Sequence, residues 1–143
     1  MCPWKRGKSK QPLPSTGIFF QYLPRYKRAN KNLPPFKVST NPGSNYYLKL
    51  SDWQTGQAAL TIFIRAGEEV EIGVPPGTYR IKLASGNTWY GEDIRFGPDT
   101  EYSVLDKPSE FTIEGSQLLG HEIRLVNVQD GNLRRRPITA SQF

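Results

Sequence analysis

From Asn45 onward, apolar and polar residues alternate one by one, the period at which successive side chains of a strand face opposite ways. Tyr46, Leu48 and Leu50 fall on one face, Tyr47, Lys49 and Ser51 on the other. Between Gln57 and Arg65, Leu60, Ile62 and Ile64 oppose Thr61, Phe63 and Arg65. Val70, Ile72 and Val74 alternate with Glu69, Glu71 and Gly73, and Tyr79, Ile81 and Leu83 with Arg80 and Lys82. The pattern predicts strands over 45–51, 57–65, 69–74 and 78–83, each with one buried and one wet face. Turn chemistry separates them: Gln54-Thr55-Gly56, Ala66-Gly67-Glu68, Pro75-Pro76-Gly77 and Ser85-Gly86-Asn87. Further strands are predicted over 110–114, 122–128 and 133–139, the last two joined as a hairpin across Asp130-Gly131. Residues 88–102 read as loop, and Ser116 to Gly120 as a short helical turn. No helical period appears, so the expected fold is all-β: a single antiparallel β-sandwich of jelly-roll, immunoglobulin-like or transthyretin-like type over residues 44–143.

Residues 1–43 are different. They hold seven of the 12 prolines. Proline fixes φ and lacks the backbone donor, so this density argues against a long helix and against a central strand. The segment reads as an extended, proline-rich arm, with an edge strand between Gly17 and Leu23. Ile18, Phe19, Phe20, Tyr22, Leu23, Tyr26, Leu33 and Phe36 make it too apolar for a solvating linker, so it is expected to lie on a surface. The division predicts that the body folds without its first 43 residues. A chain of 143 residues suits one domain.

Charge sharpens the division. Residues 1–51 carry ten of the 19 basic residues and no acid, the first acid being Asp52. The remaining chain sets nine basic residues against all 13 acids, a net charge of −4. Such segregation bears on long-range attraction between molecules. The arm's candidate contact residues are Lys5, Arg6, Lys8, Lys10, Phe19, Phe20, Tyr22, Arg25, Tyr26, Lys27 and Arg28. They suit docking on the acidic body of a neighbouring copy, with a strand added to a free sheet edge. They also suit phosphate-backbone binding with base stacking, which makes nucleic acid the alternative partner. A solvated tail is the plain reading. Arg134, Arg135 and Arg136 fall in the last predicted strand, where three cations indicate an edge or a grip on an anionic partner.

Catalytic chemistry finds little to work with. The one histidine, His121, sits just before a predicted strand, and the one cysteine, Cys2, lies far from it in sequence. A Ser-His-Asp relay or a zinc centre would need partners this inventory does not supply. Neither GxGxxG nor GxxxxGK[ST] occurs. Glu92, Asp93, Asp99 and Glu101 are loop acids without a calcium-loop spacing. The expectation is therefore no enzyme, no metal and no cofactor. Trp89, Tyr90, Phe96 and Tyr102 form the candidate ligand loop, since loop aromatics anchor sugars or proteins. The competing expectation is that these rings fold over the sandwich and plug its core, as also for Trp53.

The ordered motifs Asn45-Tyr46-Tyr47-Leu48-Lys49-Leu50, Val74-Pro75-Pro76-Gly77-Thr78-Tyr79, Thr88-Trp89-Tyr90-Gly91 and Phe96-Gly97-Pro98 resemble an uncharacterised family of small bacterial and prophage-encoded β-domains. The resemblance covers about residues 43–143 and implies no catalytic residues. Members can follow a membrane anchor and proline-rich linker; here a basic arm stands in that place. No secretory signal or apolar span is read from the sequence, so cytoplasmic synthesis is expected, with incorporation into a virion. The expected function is a structural or assembly protein, a capsid, decoration or tail-associated phage component, forming a homo-oligomer or larger assembly. The alternatives are a glycan- or host-protein-binding module using Trp89 and Tyr90, and arm-mediated nucleic-acid binding.

Overall fold

The computed structural model describes residues 10–22, 33–125 and 135–143. Within them the chain is all-β, with two short 3-10 turns at Gly97–Asp99 and Ala140–Gln142 and no α-helix. Among the described residues eleven strands form two sheets. β1 (Gly17–Gln21), β4 (Ala58–Ile64), β3 (Asn45–Asp52), β6 (Gly77–Gly86), β7 (Glu101–Leu105) and β11 (Arg135–Pro137) lie side by side in that order. β8 (Ser109–Glu114) pairs with the first half of β6 and carries β9 (Gln117–Leu119), completing a curled, antiparallel, eight-stranded half-barrel. A small mixed sheet joins β10 (His121–Leu125), β2 (Pro35–Thr40) and β5 (Glu69–Gly73).

The main core lies on one face of the large sheet. Leu48, Leu50, Leu60, Ile62, Ile64, Ile81 and Leu83 stack across β3, β4 and β6 and meet Phe36, Val38, Ile72 and Leu125 of the small sheet. These are the residues whose alternation marks the inward face, so the inner face follows directly from the sequence pattern. The opposite face departs from expectation. Tyr47, Phe63 and Ala84, on the face that reads as wet, are buried in a second cluster with Trp89, Phe96 and Phe143. Leu13 and Phe19 of the arm, Tyr102 and Ile138 pack around them. The large sheet is thus covered on both sides: by strands on one, by loop, arm and tail on the other.

Several further expectations are corrected. Proline density argues against a central strand in the first 43 residues, yet β2 is the middle strand of the small sheet, with Phe36 and Val38 fully buried. Pro35 stands at its first residue, where proline is tolerated, and Pro42 lies beyond its end. The body cannot therefore be expected to fold without residues 1–43. β10 and β11 do not pair as a hairpin: β10 runs parallel to β2, while β11 is antiparallel to β7. The Asp130-Gly131 turn itself lies outside the described residues. Gln117–Leu119 is a strand, not a helical turn, because Gly115, at φ 63°, reverses the chain in two residues between Glu114 and Gln117. β7 lies partly in the stretch that reads as loop; Val104 and Leu105 are both buried, so no alternation announces it.

Two glycines set close approaches. Gly120 lets β10 lie against β2, since a Cβ there would collide with the Pro35 carbonyl. Gly86 at the end of β6 lies under the Phe96 ring, and any side chain there would displace it.

Candidate functional site

The first candidate is an edge. β1 pairs with β4 on one side, with Gly17 opposite Phe63 and Gln21 opposite Leu60, and has no strand partner on its other side among the described residues. Ile18 packs on the main core and Phe19 on the second cluster, which pins the strand. Phe20 and Tyr22 share the alternate positions and stay 50% and 49% exposed, their ring centres 4.7 Å apart. Covering the exposed half of each ring would remove roughly 75–125 Å² more from water.

The arm's approach to this edge is fixed by the body. The Arg65 guanidinium donates to the Pro14 carbonyl at 2.8 Å and the Leu13 carbonyl at 3.0 Å. The Arg65 amide donates to Thr16 Oγ1, and that hydroxyl donates to Glu68. The Gln11 amide donates to the Trp89 carbonyl at 2.8 Å. Lys10 is exposed. The other arm cations, Lys5, Arg6, Lys8, Arg25, Lys27 and Arg28, and Tyr26 with them, lie outside the described residues. The described part of the arm is docked on its own body.

The aromatic loop does not present a ligand platform built on Trp89. Trp89 is 2% exposed and Phe96 3%, both inside the second cluster. Trp89 meets the rings of Phe63, Tyr47, Phe96 and Phe19 at centroid distances of 5.1 to 5.9 Å. A ligand could stack on it only after the ring had left the core. Tyr90 and Tyr102 are half-buried. Trp53 is half-buried beneath the Arg80 guanidinium, 4.1 Å from the ring centre.

A second candidate has no signal in the sequence. Lys49 of β3 and Lys82 of β6 are direct cross-strand partners on the loop-covered face. Lys49 Nζ donates to the main-chain oxygen of Phe143 at 2.8 Å. Lys82 Nζ donates to the Gln142 carbonyl at 2.6 Å and reaches the Phe143 oxygen at 3.5 Å. Arg95 places its guanidinium 4.7 Å from the Phe143 ring centre and 5.7 Å from that of Tyr102, while Lys49 Nζ lies 4.8 Å from the Phe143 ring. Burial, then the neighbouring charges of Arg95 and Lys82, lowers the Lys49 pKa from the ordinary lysine value; Glu92 opposes this as the smallest influence. Burial, then Arg80, lowers that of Lys82. Alternation places Lys49 and Lys82 on the polar face, but register alone sets them opposite each other.

The other candidates scatter. Arg136 is exposed, with its Nε 3.8 Å from Asp106, Arg135 pairs through its backbone with Leu105, and Arg134 lies outside the described residues. β11 ends the sheet order, as an edge. The His121 ring packs edge-on against Phe111 and its Nε2 lies 2.7 Å from the Glu110 carbonyl, at the strand end that the sequence indicates. Asp99 and Glu101 line an open polar cleft of about 280 Å³ with Ser44, Tyr46, Ser85 and Asn87. Among the described residues no three His, Cys, Asp or Glu side chains gather to hold a metal ion, and no helix is long and apolar enough to cross a membrane. No family model matches the chain, and neither a curated protein nor a solved structure matches it.

Proposed function

We propose that the protein is a non-enzymatic assembly module that joins another subunit through the open edge of β1. The observation that carries this reading is the exposed Phe20–Tyr22 pair on a strand whose outer edge has no described strand partner. Edge strands are ordinarily protected by lysine, proline or a covering loop. Here two large rings stand on the strand and just past its end, the composition of an interface anchor. Added-strand pairing would satisfy the backbone while the rings supply apolar contact. The acid-free first 51 residues and the net-negative remainder favour a neighbour that presents acidic surface, a second copy included. A structural component of a larger particle, phage particles among them, is the setting in which such a module works.

The test is mass measurement by light scattering on the full chain across a concentration series. Wild type should associate, and Phe20→Lys/Tyr22→Lys should remain monomeric with an unchanged melting temperature, because neither ring supports the core. A wild-type monomer at all concentrations, or a variant that associates equally well, would remove the β1 edge as the joining surface.

A further inference from the structure

We propose that the partner at the β1 edge is the β8–β9 hairpin of a second copy, so that copies of the chain join head to tail. The proposal rests on the reading of β1 as the joining surface and names what meets it. Along the path β1, β4, β3, β6, β8, β9 each strand pairs with the next, and β1 and β9 are the two ends. β9 has β8 as its one strand partner among the described residues. A sheet with two open ends offers unpaired backbone donors and acceptors at both, and a strand from another chain can satisfy them. The exposed apolar surface divides between the same two ends. Among the described residues four large apolar side chains are exposed: Phe20 and Tyr22 at the β1 end, and Ile113 and Leu119, 44% and 41% exposed, on the hairpin. Phe111 of β8 is fully buried in the main core, but no residue from Thr112 to Leu119 joins either core cluster. The aliphatic side chains of the hairpin are therefore not there to hold this fold together.

Register sets how the hairpin meets the rings. Ile113 stands opposite Leu118 and Leu119 opposite Thr112, so Ile113 and Leu119 lie on opposite faces of the hairpin. Whichever face of the joined sheet carries Phe20 and Tyr22, an aliphatic side chain is there to cover them. Charge selects the pairing. Residues 108–123 hold Glu110, Glu114 and Glu122 and no lysine or arginine, whereas residues 1–51 hold ten basic residues and no acid. Glu110, Glu114 and Glu122 are all exposed. β1 against the hairpin of a second copy is thus attractive, while β1 against β1, or hairpin against hairpin, sets like charges face to face. The contact is heterologous, because each copy contributes a different surface. A pair joined in this way keeps one free β1 edge and one free hairpin, so the contact repeats into a ring or a filament.

The experiment is complementation between two full-length variants, each defective at one end. Phe20→Lys/Tyr22→Lys removes the β1 anchor and Ile113→Lys/Leu119→Lys removes the hairpin anchor. By light scattering the wild type should grow beyond a dimer as concentration rises, and each variant alone should stay monomeric with the melting temperature of wild type. An equimolar mixture of the two should form a one-to-one dimer and nothing larger, because the only intact hairpin and the only intact β1 edge lie on different chains. Cross-linking reads the same contact without disturbing the apolar side chains. On a Cys2→Ser background, Gln21→Cys chains mixed with Gln117→Cys chains should be joined by a short bis-maleimide, and neither chain should be joined to its own kind. Glu114→Lys should weaken self-association several-fold at low salt and far less in ~1 M salt, where charges are screened beyond about 3 Å. A hairpin variant that associates as wild type does, while the β1 variant does not, would overturn the hairpin as partner and leave the β1 edge as the joining surface. A mixture that stays monomeric, or Gln21→Cys chains cross-linked to one another, would overturn the head-to-tail contact in favour of a different partner or of a two-fold pair. Association unchanged in the β1 variant would remove both readings.

Discussion

Replacing Trp89 by alanine separates a core ring from a ligand platform more sharply than any other single change. The indole is 2% exposed and lies 5.1 Å from the ring of Phe63, 5.3 Å from those of Tyr47 and Phe96, and 5.9 Å from that of Phe19. A buried tryptophan removes roughly 150–250 Å² from water. Less the part that alanine keeps covered, about 150 Å² at ~25 cal/mol/Å² gives about 4 kcal/mol. That falls within the ~3–5 kcal/mol usual for deleting a large buried ring. For a domain of this size, each kcal/mol moves the melting temperature by about 3 °C, so Trp89→Ala should melt roughly 10–15 °C lower. Thermal unfolding followed by far-ultraviolet circular dichroism measures it. A double-mutant cycle with Phe19→Ala should then return a coupling of about 0.5–1.5 kcal/mol, because Phe19 brings the arm onto this ring. An unchanged melting temperature for Trp89→Ala would show that the ring is not in the core and refute the packing argument. Zero coupling would mean that the arm is not docked through Phe19.

Burial of the Tyr47 hydroxyl, eased by a hydrogen bond with Thr61, pushes its pKa up to about 12 from 10.0. The unfolded chain thus loses this proton first, and stability should fall as pH rises from 10 towards 12, by about 3 kcal/mol for this group. Lys49 and Lys82, lowered in the folded state, act in the opposite sense below 10.5, so the Tyr47 share is the difference between wild type and Tyr47→Phe in alkaline denaturant titrations. A Tyr47→Phe profile parallel to wild type would contradict it. Gly86→Ala forces a methyl into the Phe96 ring and should cost about 1–3 kcal/mol by chemical denaturation; no loss would mean that the ring does not rest on Gly86. Arg65→Ala removes both guanidinium bonds to the arm, so limited proteolysis should cut within residues 10–16 sooner than in wild type, and an unaltered cleavage pattern would show that Arg65 does not hold the arm.

The inner face of the large sheet is legible in the sequence because its alternation is strict and its turns carry glycine or proline. Leu48, Leu50, Leu60, Ile62, Ile81 and Leu83 can be assigned without coordinates. The second face is not, because Tyr47 and Phe63 sit among Lys49, Thr61 and Lys82 and so read as a wet surface. What covers them comes from distant sequence, Phe19, Trp89, Phe96 and Phe143, and no local pattern records that meeting. The lysine pair is hidden for a related reason: a face can be read from periodicity, but the partner across it depends on register. β2 is hidden by its prolines, which flank the strand rather than interrupt it. The parallel pairing of β10 with β2 joins residues more than 80 positions apart, beyond any turn signal.

That pairing also sets an order on the chain as it is synthesised. β3, β4 and β6 are close in sequence and can pair as soon as each has emerged. β2 appears before all of them, yet its outer neighbour β10 arrives after residue 120, past seven later strands. Closing a loop of that length costs more entropy than closing a hairpin, and parallel strands pair slowly. Until then Phe36 and Val38 have only β5 beside them, and the small sheet has an uncovered side. Any factor that shields a nascent chain would therefore be needed over the span from Pro35 to Leu125, and release within it would favour mispairing at β2.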